Sequence, residues 1–158
     1  QKTGIVANGD VAVAVNNNFV GSADLPLNIA ANSIQIAYGA AGSVNRNEIV
    51  GNQWDANESW VATALLIYLG DTVNVKGNVI SGEATDVGIY AAYSGVVNVG
   101  NNEITRTPPD VGDNVDSYGI GVWFFGNSGK SKLVHNTFQG WNYDYLGADL
   151  DKVNSTLP

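Results

Sequence analysis

The sequence predicts an all-β chain wound into a coil of short stacked strands, and three observations carry that prediction. The first is a recurring set of offsets. An apolar residue is followed by a valine-like residue ten positions on, an asparagine three later and another large apolar residue two later. The set occurs as Ile5/Val15/Asn18/Val20, Ile34/Val44/Asn47/Ile49, Leu65/Val75/Asn78/Ile80 and Ile89/Val99/Asn102/Ile104. It occurs once more, with three extra residues, as Ile120/Leu133/Asn136/Phe138. Self-similar units of this length mark repeat architectures. The second is composition: Val, Ile, Asn, Gly, Tyr and Thr dominate the 158 residues, 19 of them glycine, and helix-forming runs are absent. That is strand and turn chemistry. The third is that no unit pairs an Asn-Gly turn with a following partner strand, as a meander would. Short strands at fixed offsets then bury their apolar faces by stacking like on like, rising about 4.8 Å per turn of the coil.

Taken in order, residues 4–20 form the first coil. A short strand at Gly4-Ile5-Val6 is followed by a turn at Asn8-Gly9-Asp10. The size alternation of Val11-Ala12-Val13-Ala14-Val15 is that of a strand with one face inward. Asn16-Asn17-Asn18 turns the chain into Phe19-Val20. A loop over 21–33 leads to the second coil, 34–50, with strands at 34–38, 43–44 and 48–50. The loop 51–63 holds Trp54, Asp55, Glu58 and Trp60. The third coil, 64–81, contains the longest apolar run, from Ala64 to Leu69. After the short loop 81–87, the fourth coil covers 88–105. The loop 105–118 carries Pro108-Pro109 and the acids Asp110, Asp113 and Asp116. The fifth coil covers 119–138. The repeat fades in the tail, 140–158, which is expected to be irregular, with a sixth turn possible from Leu146. The whole is expected to be one domain.

Stacking gives four ladders. Ile34, Leu65, Ile89 and Ile120 form one inside the coil, Val44, Val75, Val99 and Leu133 a second, and Ile49, Ile80, Ile104 and Phe138 a third. Asn18, Asn47, Asn78, Asn102 and Asn136 form a structural asparagine ladder at a turn. Asparagine tolerates the left-handed conformation of a tight turn, and its amide can bond along the stack.

Carried by Gly88-Ile89, by Val97, Val99, Asn102 and Ile104 and by their counterparts, the units resemble the repeats of the pectate-lyase-like superfamily, the pectin lyase fold. The resemblance runs from about Gly4 to Phe138. It implies a single-stranded right-handed parallel β-helix, a solenoid of about five coils with three short strands each and an Asn ladder. It further implies that the ladder lies between the second and third sheets and that variable loops leave the third. A substrate groove would follow the outer face of the first sheet. The fold serves lyases, glycosidases, epimerases, tailspikes and adhesins alike, so function must come from the site.

Alternation along the first strand of each coil assigns that outer face. With Ile34, Ile36 and Tyr38 inward, Gln35 and Ala37 face out. With Leu65, Ile67 and Leu69 inward, Leu66 and Tyr68 face out. Tyr90 and Ala92 follow, then Gly121, Trp123 and Phe125. Gln35, Tyr68, Tyr90 and Trp123 are the candidate carbohydrate-binding residues, since ring faces stack on the C–H faces of sugars. The same face, covered by loops or by another subunit, would instead be a homo-oligomer interface.

Charge bounds the partners. The formal net charge is −8, which argues against nucleic acid and against anionic membrane surfaces. No apolar run is long enough to span a bilayer, so no membrane insertion is expected. With no cysteine and one histidine, thiolate and His-rich metal sites are excluded. A cofactor is either absent or Ca²⁺, for which Asp110, Asp113 and Asp116 would supply oxygen ligands. Elimination from a uronate needs a base and a neutralising group, and glycoside hydrolysis needs paired carboxylates. The first-sheet face has neither. Only the loops offer them, as Asp55, Glu58, Glu83, Asp86, Arg106 and the Asp110 group, so catalysis is not expected within this segment. His135 reads as a surface residue, as do Lys76, Lys130 and Lys132. The N-x-S/T tripeptides at Asn57 and Asn154 carry little weight. A chain that opens on Gln1 and lacks methionine is expected to be part of a longer precursor. The favoured expectation is a secreted or cell-surface β-helix that binds polysaccharide along the first-sheet face. A polysaccharide lyase or glycoside hydrolase with loop-borne residues is one alternative. A structural or adhesive β-helix with a protein interface on the aromatic face is the other.

Overall fold

The computed structural model describes residues 3–21, 29–54, 60–108, 118–147 and 150–156, the last stretch as backbone. Within these residues there is no helix, and every strand pairing is parallel. The strands fall into layers. The first layer is β1 (Thr3–Asn8), β2 (Ala12–Asn16) and β3 (Phe19–Val20), and the second β4 (Asn32–Ala37), β5 (Ala41–Asn45) and β6 (Glu48–Val50). The third is β7 (Thr63–Tyr68), β8 (Val73–Lys76) and β9 (Val79–Ser81), and the fourth β10 (Val87–Ala92), β11 (Val97–Gly100) and β12 (Glu103–Thr105). The fifth has β13 (Ile120–Phe125) and β14 (Ser131–Gln139), and the sixth β15 (Tyr143–Leu146) and β16 (Leu150–Thr156).

Like strands pair with like. One sheet has the order β1-β4-β7-β10-β13-β15, the other β2-β5-β8-β11-β14-β12-β9-β6-β3 with β16 on β14. Three separate sheets were expected, and two are found. The reason is β14, which runs unbroken past His135, held at φ 54°. Its first half pairs with β11 and its second half with β12, so the two arms become one bent sheet. Beyond the fifth coil the stack goes on: β15 pairs with β13 in register, while β16 pairs with β14 with register shifts after Ser131 and after Val134.

Register fixes the core. Ile5, Ile34, Leu65, Ile89 and Val122 form the first apolar ladder. The expected fifth member, Ile120, pairs with Val87 instead. Counted from Val122, the fifth layer has one extra residue before Leu133 rather than three. The ladders Val15-Val44-Val75-Val99-Leu133 and Val20-Ile49-Ile80-Ile104-Phe138 are as the spacing predicts. Their members are buried, each contributing roughly 1.5–3 kcal/mol of burial free energy.

The asparagine ladder is continuous. The Asn47 Nδ2 donates to Asn78 Oδ1, Asn78 Nδ2 to Asn102 Oδ1 and Asn102 Nδ2 to Asn136 Oδ1, each at 2.9 Å. Each acceptor oxygen also takes the backbone N–H of the preceding layer's asparagine at 2.9–3.0 Å. The remaining Nδ2 protons go to the carbonyls of Val15, Val44, Val75 and Val99. One expectation is corrected here. The left-handed residue of this turn is the one before each ladder asparagine: Asn17, Arg46, Gly77, Asn101 and His135, with φ 53–68°. The ladder asparagines are kept for their amides, which satisfy backbone groups that burial would otherwise orphan.

Candidate functional site

The first sheet presents two outward columns and a turn column. Val6, Gln35, Leu66, Tyr90, Trp123 and Leu146 are register partners in one column. Asn8, Ala37, Tyr68, Ala92 and Phe125 form the next. Just beyond the strand ends, backbone bonds such as Tyr38 N–H to Tyr68 O, Leu69 N–H to Ala92 O and Tyr93 N–H to Phe125 O continue the stack. They align Gly9, Tyr38, Leu69, Tyr93 and Gly126, all with positive φ, between 51° and 88°.

That backbone conformation corrects two assignments. Strict alternation put Tyr38 and Leu69 inside. A left-handed residue breaks the alternation and throws its side chain outward, and Tyr38 and Leu69 are 55% and 41% exposed. Tyr93, at the equivalent place, is 50% exposed. Sequence reasoning missed Tyr93 for the same reason. The available signal was the pairing of Ala-Tyr with a following small turn residue, in Ala37-Tyr38-Gly39 and again in Ala92-Tyr93-Ser94.

The rings touch in sequence along the stack. Tyr38 meets Tyr68 at 5.7 Å between centroids, Tyr68 meets Tyr93 at 6.1 Å and Tyr93 meets Phe125 at 5.2 Å. All three contacts are edge-to-face, with interplanar angles of 81–89°. Phe125 is edge-to-face with Trp123 at 6.1 Å, Trp123 stacks on Tyr90 at 4.8 Å, and Tyr118 tilts against Trp123 at 5.8 Å. Such pairs each contribute about 0.5–1.5 kcal/mol beyond burial. Gly126 makes room for this arrangement. A Cβ there would come within 2.9 Å of the Tyr93 ring.

The four expected carbohydrate residues therefore divide. Gln35, Tyr90 and Trp123 share one column, while Tyr68 stands in the neighbouring one, and Leu66 is the residue directly beside Tyr90. Tyr90 and Trp123 are half-buried and cover a face of each other. The more open rings are Tyr38, Tyr93 and Phe125. Ala37 and Ala92, assigned outward, are 0% and 1% exposed, sitting in the column where large rings occupy the adjacent layers. Gly121 is not on the open face either. A side chain there would strike the Phe138 ring and the Asp144 carbonyl.

Among the described residues, the three columns carry no charge: none of their members is Asp, Glu, Lys, Arg or His. Among the cations whose side chains are described, Arg46 and Lys76 flank the asparagine turn, Lys130 and Lys132 lie at the start of β14, and Arg106 is buried. Burial, with Tyr93, Tyr118 and Tyr68 nearby, raises the Tyr90 phenol above its ordinary value of 10.0. Tyr90 therefore holds its proton more tightly than a free phenol.

Under the rings runs a short polar ladder that sequence reasoning also missed. The Gly70 N–H donates to Ser94 Oγ at 3.1 Å, and the Ser94 N–H to Asn127 Oδ1 at 2.9 Å. Ser94 and Asn127 directly follow the left-handed Tyr93 and Gly126, as each ladder asparagine follows its left-handed neighbour at the other turn.

The remaining candidates do not join this site. Asp86 and Arg106 are buried, Asp86 accepting the Ala62 N–H at 3.0 Å and Arg106 Nε donating to the Thr85 carbonyl at 2.9 Å. The Arg106 guanidinium lies 5.9 Å from the Trp141 ring centroid. In these bonds both hold loop backbone. Glu83 and His135 are exposed. Asp110, Asp113 and Asp116, with Asp55, Asn57 and Glu58, lie outside the described residues. Among the described residues no group of three His, Cys, Asp or Glu is placed to hold a metal ion, and no helix is long and apolar enough to cross a membrane. Comparison with known proteins returns no matching family model, no matching curated protein and no matching solved structure. The fold and the ring row therefore define the class: an all-β, all-parallel, layered repeat protein with an uncharged aromatic face.

Proposed function

We propose that this chain is a right-handed parallel β-helix of the pectin lyase kind that binds polysaccharide along its first-sheet face, in a secreted or cell-surface setting. The observation that carries the reading is the row of rings Tyr38, Tyr68, Tyr93 and Phe125. It runs across four successive layers, remains open to solvent at Tyr38, Tyr93 and Phe125, and lacks any charge. One feature favours a working surface over incidental exposure: the rings form one connected row, whereas scattered apolar residues on a surface need no explanation.

The chemistry is binding by C–H contact with ring faces and by hydrogen bonds from tyrosine hydroxyls and the Gln35 amide. It requires no ion and no catalytic pair. Affinity electrophoresis in gels cast with soluble polysaccharides tests it, comparing the unaltered chain with Tyr93→Gly. Retardation of the unaltered chain in at least one gel, relieved by the substitution, is the expected result. Equal mobility of both proteins in every gel removes the reading. Light scattering alongside addresses the rival interface reading, in which the ring row would be covered in a stable dimer.

A further inference from the structure

The ring row has a two-layer period. In the second and fourth layers the strand-end column holds alanine, Ala37 and Ala92, and the turn column holds tyrosine, Tyr38 and Tyr93. In the third and fifth layers the ring moves to the strand-end column, as Tyr68 and Phe125, and the turn column holds Leu69 and Gly126. Successive rings are consequently near-perpendicular, at 81°, 89° and 87°. Equivalent rings recur every second layer, a spacing of about 9.6 Å from the strand separation.

Building on the binding reading above, we infer that the row selects an uncharged, diequatorially 1,4-linked glycan, whose structural repeat is two sugars. The argument rests on shape and charge. A diequatorial 1,4-linkage gives a flat, extended ribbon in which each sugar is turned over relative to the last. Alternate sugars then present the same face to one side, at a separation close to two layers. Equivalent rings at that interval meet equivalent sugar faces. An axially linked chain curls and loses this register after a few sugars. Charge points the same way. A uronate polymer brings one carboxylate per sugar, but the three columns contain no cation, and the chain's net charge of −8 repels it.

Titration calorimetry with defined hexasaccharides tests the inference. Cellohexaose and mannohexaose are the matched probes, maltohexaose is the axially linked neutral control, and hexagalacturonate is the charged one. The expected result is binding of a matched probe at least about tenfold tighter than either control. Tyr93→Gly should weaken it about tenfold, and Tyr93→Phe should leave it within a few-fold. Because Tyr93 has φ 52°, glycine suits the backbone there and the variant keeps its fold, checked by its melting curve. Preferential or equal binding of maltohexaose or hexagalacturonate overturns this inference while leaving polysaccharide binding standing. Binding of none of these probes, when the gels do show a polysaccharide ligand, also overturns it. Failure in both assays removes the two together.

Discussion

Two turns of this molecule use the same backbone device for opposite ends. At the asparagine turn, a left-handed residue is followed by an amide that faces inward and bonds along the stack. At the aromatic turn, a left-handed residue is followed, in the fourth and fifth layers, by Ser94 and Asn127, which do the same. What differs is the left-handed residue itself. At the first turn it is small or polar (Asn17, Arg46, Gly77, Asn101, His135) and makes no row. At the second it is glycine in the first and fifth layers, Gly9 and Gly126, but Tyr38, Leu69 and Tyr93 between them, with Tyr68 and Phe125 alongside. The inner ladders hold the stack together at both turns. Only the second turn adds an outer row, whose cost in backbone strain is offset in part by ring-ring contact. A repeat fold can thus keep one set of rungs for stability while the residue beside them varies.

The comparison breaks most sharply at Asn78. Asn78→Ala strips the amide from the middle of the ladder, removing the acceptor of the buried Asn47 N–H and of one Asn47 Nδ2 proton and a donor to the Val44 carbonyl. Urea unfolding should show a loss of about 3–4 kcal/mol. The same change at Asn18, which is exposed and at the end of the row, should cost no more than about 1 kcal/mol. Equal costs at the two sites would contradict a cooperative ladder. On the aromatic side, Tyr93→Gly should move stability by no more than about 1 kcal/mol, since relief at φ 52° opposes lost ring contacts. A loss as large as that at Asn78 would make the ring row a structural element and remove its claim to be a surface for something else.

A smaller change sharpens the contrast from the other side. Arg46 is exposed at φ 54° and forms no row, so Arg46→Gly should raise stability by about 0.5–1 kcal/mol by thermal melting. The smallest effect is in alkali. The Tyr90 phenol is raised above 10.0 by burial, so the folded state holds its proton more tightly than the unfolded chain. That contribution is fully present below pH 10.0 and is lost as pH climbs through the folded value. Tyr90→Phe should therefore flatten the alkaline decline in stability, and phenolate absorbance should show one late-titrating tyrosine missing.

Much of the fold was legible in the sequence because core ladders need the same residue type at the same offset in each layer. The spacing of Val44, Val75, Val99 and Leu133 and of the asparagines identified true register partners. Where the offset slips, at Ile120, an isoleucine fits the pattern as readily as Val122, and only pairing with Ile89 decides between them. The site was half legible. Outward alternation found Tyr68, Tyr90 and Trp123 but not that they occupy two columns. Tyr38, Leu69 and Tyr93 were beyond it, because a left-handed residue reverses the alternation and a tyrosine does not announce that conformation as glycine would. The bend within β14 leaves no sequence mark either, since His135 stands where other layers have Arg46 or Asn101.

The central claim is that ligand meets the aromatic turn and leaves the asparagine turn untouched. Amide and aromatic NMR shifts followed during titration with cellohexaose or mannohexaose test it most directly. The account predicts movement at Tyr38, Tyr68, Tyr93 and Phe125 and their neighbours, with Asn47, Asn78 and Asn102 unmoved. Shifts centred on the asparagine turn or on Glu83, with the ring signals still, would contradict it.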